Sequence, residues 1–243
     1  MSYRQCLPAP PLRHLIAAYW TVDGVDELDA SPQRVLPDGC ADLICDLTSV
    51  PTRAYWVGTM THAIEVPPQG RQCLFFGVRF AAGGLYPWLG ASLAGLTDMR
   101  VALDALPARR WQPPLAGWCE DASFAARCAR ADASLLRALP RLPHTELAQW
   151  LRIGGDALAS CTVPALSQHS GVTIRSLQRR FVEQLGVSPR QHLRYLRFEQ
   201  ACRLLRGSTL GLVEVALATG YADQPHFARE FRRFAGITPA RWR

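Results

Sequence analysis

The chain has 243 residues, 49% of them hydrophobic and 19% charged, and 27 basic against 20 acidic residues give it a formal charge of +7. That length accommodates one or two domains, and the composition is that of a soluble globular protein. No apolar run is long enough to span a membrane and no basic-plus-apolar leader is present, so the expected location is the cytoplasm. Every basic residue is an arginine. Residues 145–243 hold 14 of them with 7 carboxylates, whereas residues 1–144 hold 13 of each. The whole positive surplus therefore sits in the C-terminal part, as phosphate neutralisation requires. The eight cysteines (6, 40, 45, 73, 119, 128, 161 and 202) form no Cys-x-x-Cys pair. A disulfide framework is not expected, and most of them read as small buried hydrophobes.

Residues 12–80 read as short strands: Leu15 to Val22, Arg34 to Leu36, Asp42 to Leu47, Tyr55 to Gly58, Ala63 to Val66 and Cys73 to Phe80. Proline and glycine punctuate the gaps, which suggests an antiparallel barrel or sandwich. Ala81 to Gly84 ends the last strand, and residues 85–96 fit one or two helical turns. Residues 121–139 predict a helix with Phe124, Cys128, Ala131, Leu135 and Leu139 on one stripe. That stripe either packs on its own sheet or pairs with a second copy in a homodimer. Prolines 140 and 143 then mark a linker, and Thr145 to Leu151 begins a helix. The expected division is a β-rich domain over 1–118, a connecting helix and linker over 119–144, and an all-α domain over 145–243. The fold class is α+β.

The last stretch repeats itself. Residues 173–189 align with 223–239 at an offset of 50, placing Leu177 on Phe227, Arg179 on Arg229, Phe181 on Phe231, Gly186 on Gly236 and Pro189 on Pro239. One supersecondary unit is used twice. In each copy a short helix (Val163 to Ser170, Leu212 to Thr219) runs to a glycine, Gly171 or Gly220. A cap, Thr173 or Asp223, opens a second helix. These second helices bury Leu177, Phe181 and Leu185, or Phe227, Phe231 and Phe234. Their other faces carry side chains of the types that pair with bases and phosphates. Pro189 to Arg206 reads as one helix about 27 Å long at ~1.5 Å per residue. That helix can space two reading helices by roughly one DNA turn, ~34 Å.

These residues resemble the AraC/XylS family of bacterial transcription regulators over about 145–243. The likeness rests on Gly171 with Leu177 to Phe181, Gly186 to Pro189, Arg197 to Leu205, Ala216 to Gly220, Tyr221 to Phe231 and Gly236 to Pro239. The resemblance implies base reading by Arg175, Gln178 and Arg179, and by Gln224, Pro225, His226 and Arg229. Pro225 departs from the polar residue often found there and offers no side-chain hydrogen bond. With the caps and Ser176, the candidate DNA-binding residues are Thr173, Arg175, Ser176, Gln178, Arg179, Asp223, Gln224, Pro225, His226 and Arg229. The first half, through Arg34 to Ile44, Trp56 to Gly58 and Gly77 to Gly84, is similar to a little-characterised N-terminal domain found on some of these regulators. The resemblance implies an effector-responsive activator whose partners are double-stranded DNA, RNA polymerase and a small-molecule effector.

The sequence names no effector. Trp20, Asp42, Trp56, Arg79 and Trp88 are the candidates for lining its pocket, against the plainer reading of the aromatics as core. Asp38, Asp42 and Asp46 recur at even spacing, on one face if the strand is continuous. They offer either a hard-cation site or an ordinary solvated strand face. Cys40, Cys45, Cys73 and His62 lack zinc-ligand spacing, so no metal and no cofactor is expected. No catalytic motif appears, and the chain is not expected to be an enzyme. Two alternatives stay open: a ligand-independent DNA-binding protein whose first half only dimerises, and an enzyme domain fused to a DNA-binding module.

Overall fold

In this computed structural model, residues 2–25, 32–68, 70–106, 110–139, 147, 150–151 and 155–243 are described. Eight strands occupy the first half: β1 (Ser2–Cys6), β2 (Ile16–Val25), β3 (Gln33–Val35), β4 (Ala41–Asp46), β5 (Arg53–Val57), β6 (Ile64–Val66), β7 (Gln72–Phe80) and β8 (Arg100–Ala102). Six form one antiparallel sheet in the order β1-β2-β7-β4-β5-β8, and β3 pairs with β6 in a separate ribbon. The six expected strands are β2 to β7. β1 and β8 are additions that the alternation did not reveal, because β1 is largely exposed and β8 is three residues long.

The sheet is open, with β1 and β8 at its edges, so of the barrel and the sandwich expected the closed barrel is not adopted. The reason lies in what covers the inner face. Leu43, Cys45, Trp56, Phe76, Val78 and Phe80 point into a core that is completed by helices instead of a second sheet. Trp111 sits at its centre, with ring centroids 5.8 Å from Trp88, 6.4 Å from Trp118 and 6.5 Å from Trp56. Helices α1 (Tyr86–Leu89), α2 (Leu115–Glu120) and α3 (Phe124–Ala138) close it. The helix expected over 121–139 is thus α3, and α2 precedes it as a separate turn-and-a-half.

Of the two arrangements open to the α3 stripe, the fold adopts packing on its own sheet. Leu135 and Ala131 are fully buried and Cys128 nearly so. Polar contacts pin the helix. Trp111 Nε1 donates to Ser134 (2.8 Å), Tyr19 Oη and the Ala9 amide donate to Asp132 Oδ1 (2.8 and 3.0 Å), and the Cys6 and Cys128 sulfurs lie 3.1 Å apart. α3 is therefore a wall of the N-terminal core, and its apolar face is not free for a second copy. The expected linker and the start of the next helix, 140–146, lie outside the described residues.

The second half is helical: α4 (Val163–Ser170), α5 (Ile174–Leu185), α6 (Pro189–Gly207), α7 (Leu212–Ala218), α8 (Gln224–Ala235) and α9 (Pro239–Trp242). It has two small cores. One gathers Leu166, Leu177, Phe181, Leu185 and Leu193; the other gathers Phe198, Ala201, Leu205, Phe227, Phe231 and Phe234. The 19-residue α6 belongs to both, with Leu193 in the first and Phe198 onward in the second. Among the described residues, no helix is long and apolar enough to cross a membrane.

Candidate nucleic-acid interface and the domain junction

The internal repeat is also a structural one. α5 and α8 are both 12 residues long, at the same offset of 50. Thr173 Oγ1 accepts from the Ser176 amide (3.2 Å), and Asp223 Oδ1 accepts from the His226 amide (2.6 Å). Each cap satisfies a backbone N–H left free by the first turn. Each helix ends on a left-handed glycine, Gly186 at φ 81° and Gly236 at φ 73°, the conformation a stop of this kind demands. Pro189 or Pro239 then opens the next helix.

Burial sorts each helix into an inner and an outer face. Leu177, Phe181 and Leu185 are 0–1% exposed, as are Phe227 and Phe231. Thr173, Arg175, Gln178 and Arg179 are exposed, as are Asp223, Gln224, Pro225 and Arg229; Ser176 and His226 are half-buried. His226 rests edge-on against the Tyr221 ring at 5.5 Å. Arg175, Arg179 and Arg229 make no ion pair among the described residues. By contrast Arg194 on α6 holds Glu230 on α8 through two hydrogen bonds of 2.5 Å, which ties α8 to α6.

The sequence did not foretell how the sheet domain docks. It donates to carbonyls at the C-terminal ends of both α5 and α8. The Leu93 amide reaches Glu183 O (2.8 Å), Thr59 Oγ1 reaches Leu185 O (2.8 Å), and Thr97 Oγ1 reaches Gly186 O (2.6 Å), all at the end of α5. The Ala63 amide reaches Phe234 O (2.8 Å), at the end of α8. Helix C-termini leave such carbonyls without internal partners, and here a neighbouring domain supplies donors. The loop from Gly58 to Ala63 thus spans both units. It is braced from behind by Asp98, whose carboxylate accepts from the Thr61 amide and hydroxyl, both at 2.6 Å. Asp98 sits at φ 56°, an unusual setting for a residue with a side chain. Gly58 is required by close approach, since a Cβ there would lie 1.9 Å from Leu96 O.

The five candidate pocket residues divide between two places. Trp20, Asp42 and Arg79 come together: Trp20 Nε1 donates to Asp42 Oδ1 at 2.7 Å, and Arg79 Nε lies 3.4 Å from Asp42 and 3.0 Å from Asp38. Burial pushes the Asp42 carboxyl up to about 6, against the opposing pull of Arg79 and the Trp20 N–H. Trp56 and Trp88 instead lie in the aromatic core on the other face of the sheet. β-strand alternation puts Asp42 and Leu43 on opposite sides. The evenly spaced carboxylates already have partners: Asp38 accepts from the Cys40 amide (3.0 Å), and Asp46 accepts from Thr48, Ser49 and Arg71. Among the described residues, no cluster of His, Cys, Asp and Glu forms a metal-holding group.

Residues 166–243 match the family model described as a helix-turn-helix domain, and residues 4–102 match one described as Domain of unknown function (DUF6597). The HTH-type transcriptional regulator ArgR of Pseudomonas aeruginosa is 32% identical over 78 residues, 32% of this chain and 24% of ArgR. The HTH-type transcriptional activator RhaR of Cronobacter sakazakii is 40% identical over 75 residues, 31% of this chain and 26% of RhaR. This chain thus spans about a quarter of the length of these relatives. The solved DNA-binding domain of AdpA, the global transcriptional factor, in complex with a target DNA, is 31% identical, with 40% of this chain and 87% of that one covered and a TM-score of 0.37. The C-terminal half is a tandem helix-turn-helix domain.

Proposed function

We propose that the protein is a sequence-specific DNA-binding transcriptional regulator that reads two successive major-groove segments with α5 and α8. The observation that carries the reading is the pair of matched 12-residue helices with exposed Arg and Gln faces, held on one helix of 19 residues, about 28 Å at ~1.5 Å per residue. The surplus of positive charge on the same half supports it, because phosphate contacts dominate affinity for DNA. The sheet domain, docked on both reading helices, is the part that takes a small-molecule effector. Effector occupancy changes the fraction of molecules whose two helices are set for DNA. Activation through RNA polymerase is the favoured outcome, in keeping with the activator named in RhaR. The location is the cytoplasm and no chemistry is catalysed. If a homodimer forms, its seam uses a face other than the buried stripe of α3.

The test is selection and footprinting of genomic fragments bound by the purified full-length protein at a stated salt concentration. Two protected blocks about one helical turn apart, roughly 10 base pairs centre to centre, are expected. Uniform protection that fades with salt, without preferred sites, overturns the reading.

A further inference from the structure

Between the sheet domain and α6 lies a cavity of about 410 Å³, within the ~300–1,000 Å³ range of small-molecule sites. Its apolar lining includes Leu151, Leu158 and Leu196. Its polar lining includes Asp38 from the turn before β4, and Tyr195, Glu199 and Arg203 from α6. The spacing of His192, Tyr195, Leu196, Glu199 and Arg203 puts them on one face of that helix. Among the described residues, the charged lining is Asp38, Glu199 and Arg203. Glu199 accepts from Arg203 (3.0 Å), and Asp38 pairs with Arg79 (3.0 Å), which is shared with Asp42, so three carboxylates face two guanidiniums and each carboxylate keeps lone pairs for a further donor.

A second observation is independent of the volume. His192 lines the cavity and is 3% exposed, yet its Nδ1 has no hydrogen-bond partner. Buried polar atoms are mostly satisfied, so a partnerless ring nitrogen on a residue lining a cavity is a position that a ligand group can satisfy. Burial holds this imidazole in its neutral form, with its pKa lowered to about 4. With the proton on Nε2, the neutral ring's Nδ1 accepts from a ligand N–H. Tyr195, whose ring centroid is 6.1 Å from that of His192, lines the same cavity.

We propose that this junction cavity binds a small organic cation, an amine or guanidine carried on an apolar body. The head group donates to Asp38, Glu199 and the His192 nitrogen, and the body lies on Leu151, Leu158 and Leu196. The site is placed to control DNA reading, since α6 joins the two reading units and the sheet domain docks on both. This control rests on the regulator reading above, whereas the binding itself does not.

The experiment is isothermal titration of the full-length protein with 4-phenylbutylamine, hexylamine and agmatine, and with 4-phenylbutyrate as the anionic counterpart. At least one amine is expected to bind at one site per chain and the carboxylate is not. Glu199→Gln and Asp38→Asn, both at partly exposed positions, are each expected to weaken the amine by about tenfold or more, the scale of a lost charge-assisted hydrogen bond. Ala159→Trp, which fills the cavity, is expected to abolish binding, with a preserved melting transition as the check on folding. Failure of every amine to bind overturns the proposal. So does unchanged amine affinity in both carboxylate variants, or equal binding of the carboxylate. The footprint is read separately. Two protected blocks without any amine binding would remove the site and leave the regulator reading standing.

Discussion

Single residues in this protein carry two kinds of consequence. Arg179 is exposed and unpaired among the described residues, on the outer face of α5. Arg179→Ala is expected to cost about 1–3 kcal/mol on the preferred site, measured by titration against specific and scrambled duplexes. Equal weakening on both would assign it to phosphate. His192 acts on stability. Its folded-state pKa is about 4, against ~6.5 when unfolded. The unfolded chain therefore takes up a proton first as pH falls. The stability that the neutral ring contributes is complete above pH ~6.5 and is lost as pH falls through about 4, up to about 3 kcal/mol. His192→Phe, set between the rings of Phe181 and Tyr195, should flatten denaturant midpoints across that window. A variant that keeps the wild-type slope would assign the acid sensitivity elsewhere. Periodicity made Leu177, Phe181 and Phe231 legible as core. It did not reveal His192, whose position on α6 became informative only when the cavity beside it was known.

At the scale of elements, regular patterns were legible and irregular ones were not. The caps, the left-handed glycines and the repeat placed α4 to α8 within a residue or two, and the short α9 was not foreseen. Alternation found β2 to β7. It missed β1, whose exposed Ser-Tyr-Arg-Gln run pairs with β2 through backbone bonds that ask little of side chains. Alternation left a barrel or a sandwich open, because it says which face is buried and not what buries it; here α3 and the tryptophan cluster do so. That assignment has a direct check. Leu135→Glu puts a carboxylate into a site of zero exposure and should cost more than about 4 kcal/mol, the range of an unpaired buried charge. Guanidinium unfolding followed by tryptophan fluorescence measures it. A stable variant whose only change is a halved oligomeric mass would instead make α3 a dimer seam.

For the whole molecule, the informative contacts join the halves. Leu93, Thr59, Thr97 and Ala63 donate to the ends of α5 and α8. No motif marks them, because two of the four donors are backbone amides and every acceptor is a carbonyl. A helix pattern reports side chains, so docking through main-chain atoms leaves no trace in it. Thr59→Val with Thr97→Val keeps the shape and removes both hydroxyls. The pair should cost about 2–4 kcal/mol, roughly 1–2 for each buried carbonyl left unmet. Hydrogen exchange should quicken at the end of α5 and leave the centre of the sheet unchanged. DNA sites whose two blocks are spaced by one extra base pair should then be tolerated better than by the unaltered protein. If the spacing preference stays as strict, the docked sheet domain does not set it.

On the proposed function, docking through the main chain also separates what α5 and α8 recognise from how far apart they stand. Substitutions at positions 175, 178, 179, 224 or 229 change the outer face and leave the carbonyls of Glu183, Leu185, Gly186 and Phe234 where they are. New target sequences can therefore arise by drift on the surface while the ruler between them is inherited intact. An engineer who wants a different target has the same freedom: the letters can be rewritten without resetting the spacing of the lines.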